Sequence, residues 1–286
     1  MDPTFELPFF APQHRLPAPL PSQADIESSK LLKENEDRRV VLYDNCYVIK
    51  YGAHVSLLEG ENMLFVKEKQ AAPVPEVFAL YSTTDVRGTS INYIVMEYIP
   101  GQGLDATWAG LDSLQKAKIS SRLRLHFDAL RSLPTPGYFG SIGKRPLEDD
   151  MFWTAPGDDT NRVISGPFDS ELELNNALVD KYTYNSGLEH KAAYYRRVLP
   201  LILQNNNSVF THGDLQRKNI IVRDDGEMVL IDWETAGWYP EYWEYASAMF
   251  ACGAWKDDWH ESVRHILAEY ANEFAWFDML RRELWS

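Results

Sequence analysis

Thr211-His212-Gly213-Asp214-Leu215-Gln216-Arg217-Lys218-Asn219-Ile220-Ile221-Val222-Arg223-Asp224-Asp225-Gly226-Glu227-Met228-Val229-Leu230-Ile231-Asp232-Trp233-Glu234 is the stretch on which the reading of this chain turns. Two apolar runs of strand length, Ile220–Val222 and Met228–Ile231, flank Asp224-Asp225-Gly226, where glycine supplies the positive φ of a tight turn. Folding the hairpin about the point between Asp225 and Gly226 sets Asn219 opposite Asp232 at its open end. Facing residues of an antiparallel pair have Cα atoms about 4.5–5.5 Å apart. An amide oxygen beside a carboxylate suits a hard cation such as Mg²⁺, which takes one or two protein carboxylates plus substrate phosphates. Asp214, on the loop leading in, is placed to accept a proton from an attacking hydroxyl. Taken singly, each of these residues reads equally as a turn or cap. Taken jointly, H-x-D-L-x-x-x-N, a hairpin and an apolar-apolar-Asp form the catalytic-loop and metal-loop arrangement of the kinase template.

His212-Gly213-Asp214 with Asn219, followed by Ile231-Asp232-Trp233-Glu234, resembles the aminoglycoside-phosphotransferase and choline-kinase-like family of small-molecule kinases. The continuation Glu234-Thr235-Ala236-Gly237-Trp238-Tyr239-Pro240-Glu241-Tyr242-Trp243-Glu244-Tyr245 looks like the branch of that family abundant in filamentous fungi. The resemblance runs from about Val40 to the C-terminus and is specific around 211–245. It implies an α+β, bilobal, protein-kinase-like fold with a small β-rich N-lobe (31–99) and a larger, mainly helical C-lobe (100–286). It also implies ATP and Mg²⁺ as cofactors. Asp214 is then the catalytic base, and Asn219 and Asp232 hold the metal.

The remaining nucleotide residues follow the same template. Lys50 ends the β-rich run Cys46–Lys50, where the family places a lysine on the α/β-phosphates. Glu59 matches the helix glutamate that pairs with it, with Glu61 as competitor. Ser56-Leu57-Leu58-Glu59 also reads as a capping box, a role that would compete with the ion pair. Adenine recognition falls to the backbone of Glu97 to Ile99, before the Pro100-Gly101 break.

The acceptor pocket is expected past Asp232. Trp238, Tyr239, Glu241, Tyr242, Trp243 and Glu244 form an aromatic and acidic cluster, and Asp257 and Asp258 add charge. Such a set suits an amine-bearing small molecule; core packing and capping are the competing reading. His212 is expected to pack and hydrogen-bond the loop, and Arg217 and Lys218 to lie in solvent or offset product charge.

Two features depart from the template. No glycine precedes Gly52, so the glycine-rich phosphate loop is missing; Lys30–Arg39, in its place, is charged and helix-prone. No A-P-E signature follows Asp232-Trp233-Glu234, which points away from a phosphorylation-controlled protein kinase. The missing loop keeps alive an alternative, an inactive pseudokinase that binds nucleotide or ligand, or the same fold recruited to other biosynthetic chemistry.

Composition bounds the rest. With 45% hydrophobic and 24% charged residues the chain reads as a soluble globular protein. A net charge of −14 argues against binding nucleic acid or an anionic membrane. Two cysteines, Cys46 and Cys252, make no disulfide framework, and no secretory signal or membrane span is read, so a reducing, cytoplasmic setting is expected. Residues 1–30 form a proline-rich arm, extended at least over 1–21, whose Phe5, Leu7, Phe9 and Phe10 imply packing against the body or a second subunit. Apolar spacing predicts a helix within Leu111–Leu133, and others over Glu171–Lys181, Glu189–Leu199 and Ser262–Leu280; Pro134–Phe168 reads as loop.

Overall fold

The computed structural model describes residues 4–35, 37–155, 161–253 and 255–284. The chain is α+β and divides into a β-rich unit, 4–104 with 220–234, and a mainly helical unit, 105–219 with 235–286. The first boundary thus falls after Leu104 rather than after Ile99. The hairpin 220–234 belongs to the β-rich unit although the sequence places it deep in the second half.

In the β-rich unit a six-stranded antiparallel sheet runs in the order Phe9–Phe10, Val77–Thr84, Ser90–Glu97, Tyr47–Gly52, Arg38–Tyr43, Lys30–Asn35. Side chains alternate between the two faces of a strand. One face carries Val41, Tyr47, Ile49, Tyr93 and Val95, and the N-terminal segment covers it with Ala11, Leu16, Ala18, Leu20 and Ile26. Tyr51, Tyr93 and Tyr81 stack across neighbouring strands, and Phe10 extends the row. The proline-rich segment is therefore the back layer of the sheet: Phe9 and Phe10 pair with Leu80 and Ala79, and a capping box of Ser22 and Asp25 starts a helix at Gln23. One 3-10 turn, Gln13–Arg15, interrupts its extended run.

Lys50 lies on the opposite face, paired with Val40 and Ile94. The helix Leu58–Glu68 packs on this face against the strand Val77–Thr84. At Gly60 a Cβ would sit 2.1 Å from Leu80 Cδ2, so glycine sets the closeness of that contact. The Ser56 capping box does not form: the N-cap is Leu57, with no side-chain cap. The expected helical character of Lys30–Arg39 is also overturned. Lys30–Asn35 and Arg38–Tyr43 are paired strands, because edge pairing along the sheet outweighs a local preference of charged residues for helix.

The hairpin Ile220–Val222/Met228–Leu230 forms as read, with one difference of register. Leu230 faces Ile220 and Arg223 bonds Glu227, so the loop has three residues, closed by Gly226 at φ +81°. Three-residue hairpin loops commonly place glycine in this left-handed position. The pairing is shifted by one residue from that expected from a turn centred between Asp225 and Gly226.

The helical unit is built on Ser113–Arg131, Glu171–Ser186, Glu189–Ile202, Trp243–Ala251, Trp259–Ile266 and Ala271–Leu284. Asp112 and Gln115 form the capping box of the first, and Gly187 at φ +66° ends the second. The expected helix Ser262–Leu280 is two helices, broken after Ile266. Pro134–Phe168 is not all loop: it holds a 3-10 turn at Asp150–Phe152 and a short helix at Asn161–Ser165, while 156–160 lie outside the described residues. Trp243 centres the core, with Phe152, Tyr239, Tyr242 and Phe277 rings 5.0–6.1 Å away. The short strand Ser208–Thr211 pairs with Gly237–Pro240 and leads into the loop that carries Asp214. Cys46 and Cys252 are both free thiols. Among the described residues no helix is long and apolar enough to cross a membrane.

Candidate active site

The β-rich unit gathers a group of charges around Lys50. Its Nζ lies 2.6 Å from Glu59 Oε2, 3.0 Å from Asp232 Oδ1 and 3.1 Å from Glu234 Oε2. Arg38 joins the group, with Nη1 2.8 Å from Glu234 Oε2. Burial works against the Lys50 ammonium, but the carboxylates of Glu59, Asp232 and Glu234 outweigh it and hold the pKa above its ordinary value. Glu59 is fully buried, and burial pushes its carboxyl up to about 7 against the pull of Lys50. Glu61, two residues along the helix, is buried too, but Glu59 is the residue that meets the lysine.

Asp232 is held in an unusual backbone conformation, φ +65°, one that costs a non-glycine residue free energy and recurs at functional sites. Its neighbours fix it there. Leu230 donates its amide to Pro73 O, the buried Trp233 ring donates to Leu230 O, and Asn62 Nδ2 donates to Trp233 O. Glu59, Asp232 and Glu234 each offer an oxygen within 4.8 Å of the others, the one such acidic group among the described residues. Elsewhere in the unit, the Glu97 carboxylate accepts from Arg223 Nη2 at 2.8 Å, and the Glu97 and Tyr98 amides bond Glu76 O and Cys46 O. The Ile99 amide donates to no described residue.

In the helical unit Asp214 is held mainly by hydrogen bonds from neutral donors of its own loop. Asn219 Nδ2 donates to Asp214 Oδ2 at 2.7 Å and to Asp214 O at 3.0 Å. Both amide hydrogens are thereby spent on Asp214. Gln216 Nε2 donates to the other Asp214 oxygen, and the Asp214 amide donates to His212 Nδ1 at 3.2 Å. Asn219 thus closes the loop of one unit, and Asp232 belongs to the charge group of the other. Gly213 sits at φ +84°, where a Cβ would come within 2.8 Å of Thr235 Oγ1; only glycine fits.

The expected acceptor cluster is corrected in most of its members. Trp238 and Tyr239 are buried, as are Tyr242 and Trp243, and all pack in the helical core. Glu244 is buried too. Its carboxylate accepts the His212 amide at 2.6 Å and the Gly213 amide at 3.3 Å, so it anchors the loop from beneath. Burial raises its pKa, opposed by His212, by those two amides and by Arg131. Glu241 accepts from Asn207 Nδ2 at 2.8 Å, and its carbonyl accepts from Arg131. Asp258 accepts from Trp108 Nε1 and pairs with Lys116 at 2.8 Å, which lowers its pKa. Asp257 pairs with Arg217, whose guanidinium also lies against the Trp108 and Trp259 rings, so Arg217 is a packed residue and not a solvated one. Lys218 is half exposed, 3.7 Å from Asp214.

A cavity of about 380 Å³ adjoins this loop, lined by Asp105, Gln216, Lys218, Cys252, Asp257 and Trp259 among others. Of the expected acceptor residues only Asp257 reaches it. The acidic and aromatic residues at 238–244 were deceptive because a cluster of aromatics, here shared by the strand Gly237–Pro240 and the start of the helix Trp243–Ala251, is equally a core. Glu234 and Arg38 escaped the sequence reading. Glu234 carried a signal in directly following Asp232-Trp233; Arg38 carried one only as a cation of the charged segment that stands in place of the glycine-rich loop, with no partner legible.

A lysine–glutamate pair beside an aspartate on a post-hairpin loop, with an H-G-D loop five residues ahead of an asparagine, defines the class: a phosphotransferase of protein-kinase-like fold. A model of the phosphotransferase enzyme family matches residues 52–285, and the chain belongs to that family. Solved structures agree in fold. The GDP complex of wild-type aminoglycoside 2'-phosphotransferase-IIIa has a TM-score of 0.57 at 14% identity, covering 91% of this chain and 85% of that one. The streptomycin–ATP ternary complex of APH(2")-IIa gives 0.55 at 15%, covering 92% and 82%. Choline kinase LicA from Streptococcus pneumoniae gives 0.52 at 16%, covering 90% and 82%. A search of curated proteins finds no match. At such identities the likeness is one of fold, and the acceptor does not follow from it.

Proposed function

We propose that the protein is an ATP- and Mg²⁺-dependent kinase that transfers the γ-phosphoryl group to a hydroxyl of a small molecule. The observation that carries this reading is the buried Lys50–Glu59 pair with Asp232 beside it at left-handed φ. Burying a lysine among carboxylates is costly unless the group serves a ligand or is fully paired. Lys50, oriented by Glu59, would meet the α/β-phosphates, and the backbone at Glu97–Ile99, with its unspent Ile99 amide, would take adenine.

The donor set fits Mg²⁺. Asp232, with Glu234 adjacent, offers hard oxygen ligands. The ion would neutralise charge on the transferring phosphates. Asp214, lashed in place by Asn219 and Gln216, would receive the proton of the acceptor hydroxyl. The acceptor O–P bond forms as the β,γ-bridging P–O bond breaks, and ADP leaves. In a loose transition state orientation matters more than base strength. The cavity beside Gln216 and Lys218 would seat the acceptor. Its lining mixes acids with Arg217, Lys218 and Lys256 and gives no special support to an amine.

The test is a screen of hydroxyl-bearing small molecules for ADP release, with product masses. A phosphorylated product is expected, with Mg²⁺ required. A protein whose melting temperature does not move with ATP and Mg²⁺, and which releases no ADP, would be the ligand-binding alternative instead.

A further inference from the structure

In the kinase template a glycine-rich loop covers the phosphates with backbone amides. Here the corresponding turn joins Lys30–Asn35 to Arg38–Tyr43, and it contains no glycine. A glycine stands instead at the end of the neighbouring strand Tyr47–Gly52. Gly52 stands at φ +148°, and a Cβ on it would lie 1.9 Å from Asp37 O. The Asp37 turn therefore rests directly on the backbone of the strand that carries Lys50.

Strand register then decides which side chain faces the charged group. Val40 is directly opposite Lys50, so the two share a face. Arg38 is two residues from Val40 and points to that face as well. It reaches the oxygen of Glu234 that Lys50 also reaches. Two cations thus converge on one carboxylate, and the group as a whole holds two cations against three carboxylates.

We propose that Arg38 is a phosphate-binding residue of the nucleotide site, supplying with a guanidinium what the missing glycine-rich loop supplies with amides. The proposal rests on the nucleotide-binding reading of Lys50 and Asp232. A guanidinium presents a planar fork of donors that matches phosphate oxygens. The Arg38 side chain is 41% exposed, so it is free to exchange partners. An exposed ion pair of this kind is worth about 0–1 kcal/mol, little to give up for a phosphate and little use as a latch. The hairpin is already held by five paired positions and by its seat on Gly52.

The experiment is calorimetric titration of wild type, Arg38→Gln, Arg38→Lys and Lys50→Met with ATP, ADP and adenosine, Mg²⁺ present throughout. Arg38→Gln is expected to weaken ATP and ADP by about 10- to 100-fold and to leave adenosine unchanged. Arg38→Lys should recover only part of the loss. Unchanged adenosine binding doubles as proof that the variant is folded. Equal weakening of ATP and adenosine would make Arg38 a structural residue and overturn the proposal. So would wild-type ATP affinity in Arg38→Gln while Lys50→Met loses ATP, an outcome that leaves the nucleotide site standing. A wild-type protein that binds neither ATP nor adenosine would overturn the nucleotide reading itself, and this proposal with it.

Discussion

The loop around Asp214 and the charge group around Lys50 solve the same problem, holding a charged side chain ready, in opposite ways. Asp214 is fixed by neutral donors from its own loop: the Asn219 and Gln216 amides hold its oxygens, and Glu244 secures the turn below. Lys50 is fixed by charges that outnumber it. The loop is complete as it stands. The charge group carries an excess of carboxylates, and on the proposed function a cation and phosphate would complete it. On the proposed function the difference has a reason: a group that acts on a hydroxyl must stay in place, and a group that exchanges ligands must be able to move.

The largest expected effect breaks the loop's chemistry at the cost of one of its hydrogen bonds. In Asp214→Asn a proton acceptor is lost, while one oxygen remains for Asn219 or Gln216. Turnover should fall by about 10²- to 10⁴-fold, the usual worth of a positioned acid–base group. ATP affinity should stay at the wild-type level. Turnover measured beside nucleotide titration checks both halves, and wild-type turnover in this variant would remove Asp214 from the mechanism.

On the other side, Lys50→Met takes the central cation from the group. ATP binding should be lost, and the fold should suffer, since an unpaired buried carboxylate costs about 3–5 kcal/mol when it stays charged. Glu59, already pushed up to about 7, relieves part of that by taking a proton. Chemical denaturation should therefore show a larger loss at pH 8 than at pH 6. A loss that does not change with pH would mean that Glu59 is not the carboxylate left behind.

The two regions also differ in how much of them the sequence disclosed. The clasp of Asn219 and Gln216 on Asp214 was not read, since hairpin spacing alone set Asn219 opposite Asp232, but Asp214 and Asn219 were named because they sit in one turn-rich stretch. The hairpin was legible for the same reason, although its three-residue loop moved the register by one. Lys50 and Glu59 were found only through resemblance, because their pairing depends on Gly60 drawing a helix down onto Leu80. Arg38 was missed because the charged run Lys30–Arg39 reads as helix when the sheet that pairs it is unknown. Tyr239, Tyr242, Trp243 and Glu244 were misplaced because aromatic and acidic side chains carry no mark saying whether they face a ligand or a core. The arm was legible as extended and apolar, but the face it covers is set by strands that come later in the chain.

Glu244 offers the smallest and sharpest perturbation, since it acts on the loop without touching the chemistry. Glu244→Ala should cost about 1–3 kcal/mol, because the His212 and Gly213 amides are left buried without an acceptor. Glu244→Gln keeps an acceptor oxygen and removes only the charge, so it should cost less. Its effect should also change with pH, and the sign follows from the raised pKa. A carboxyl that binds its proton more tightly folded than unfolded adds stability below its unfolded pKa and loses that contribution as pH rises through the folded value. Wild type should therefore lose ground to Glu244→Gln as pH increases from about 4.5, the ordinary glutamate range. Melting curves of the pair across pH 4–8 measure the difference directly. A gap that widens in favour of wild type with rising pH would mean that the charged form is the one the loop requires, and that the amides and His212 outweigh burial at this carboxylate.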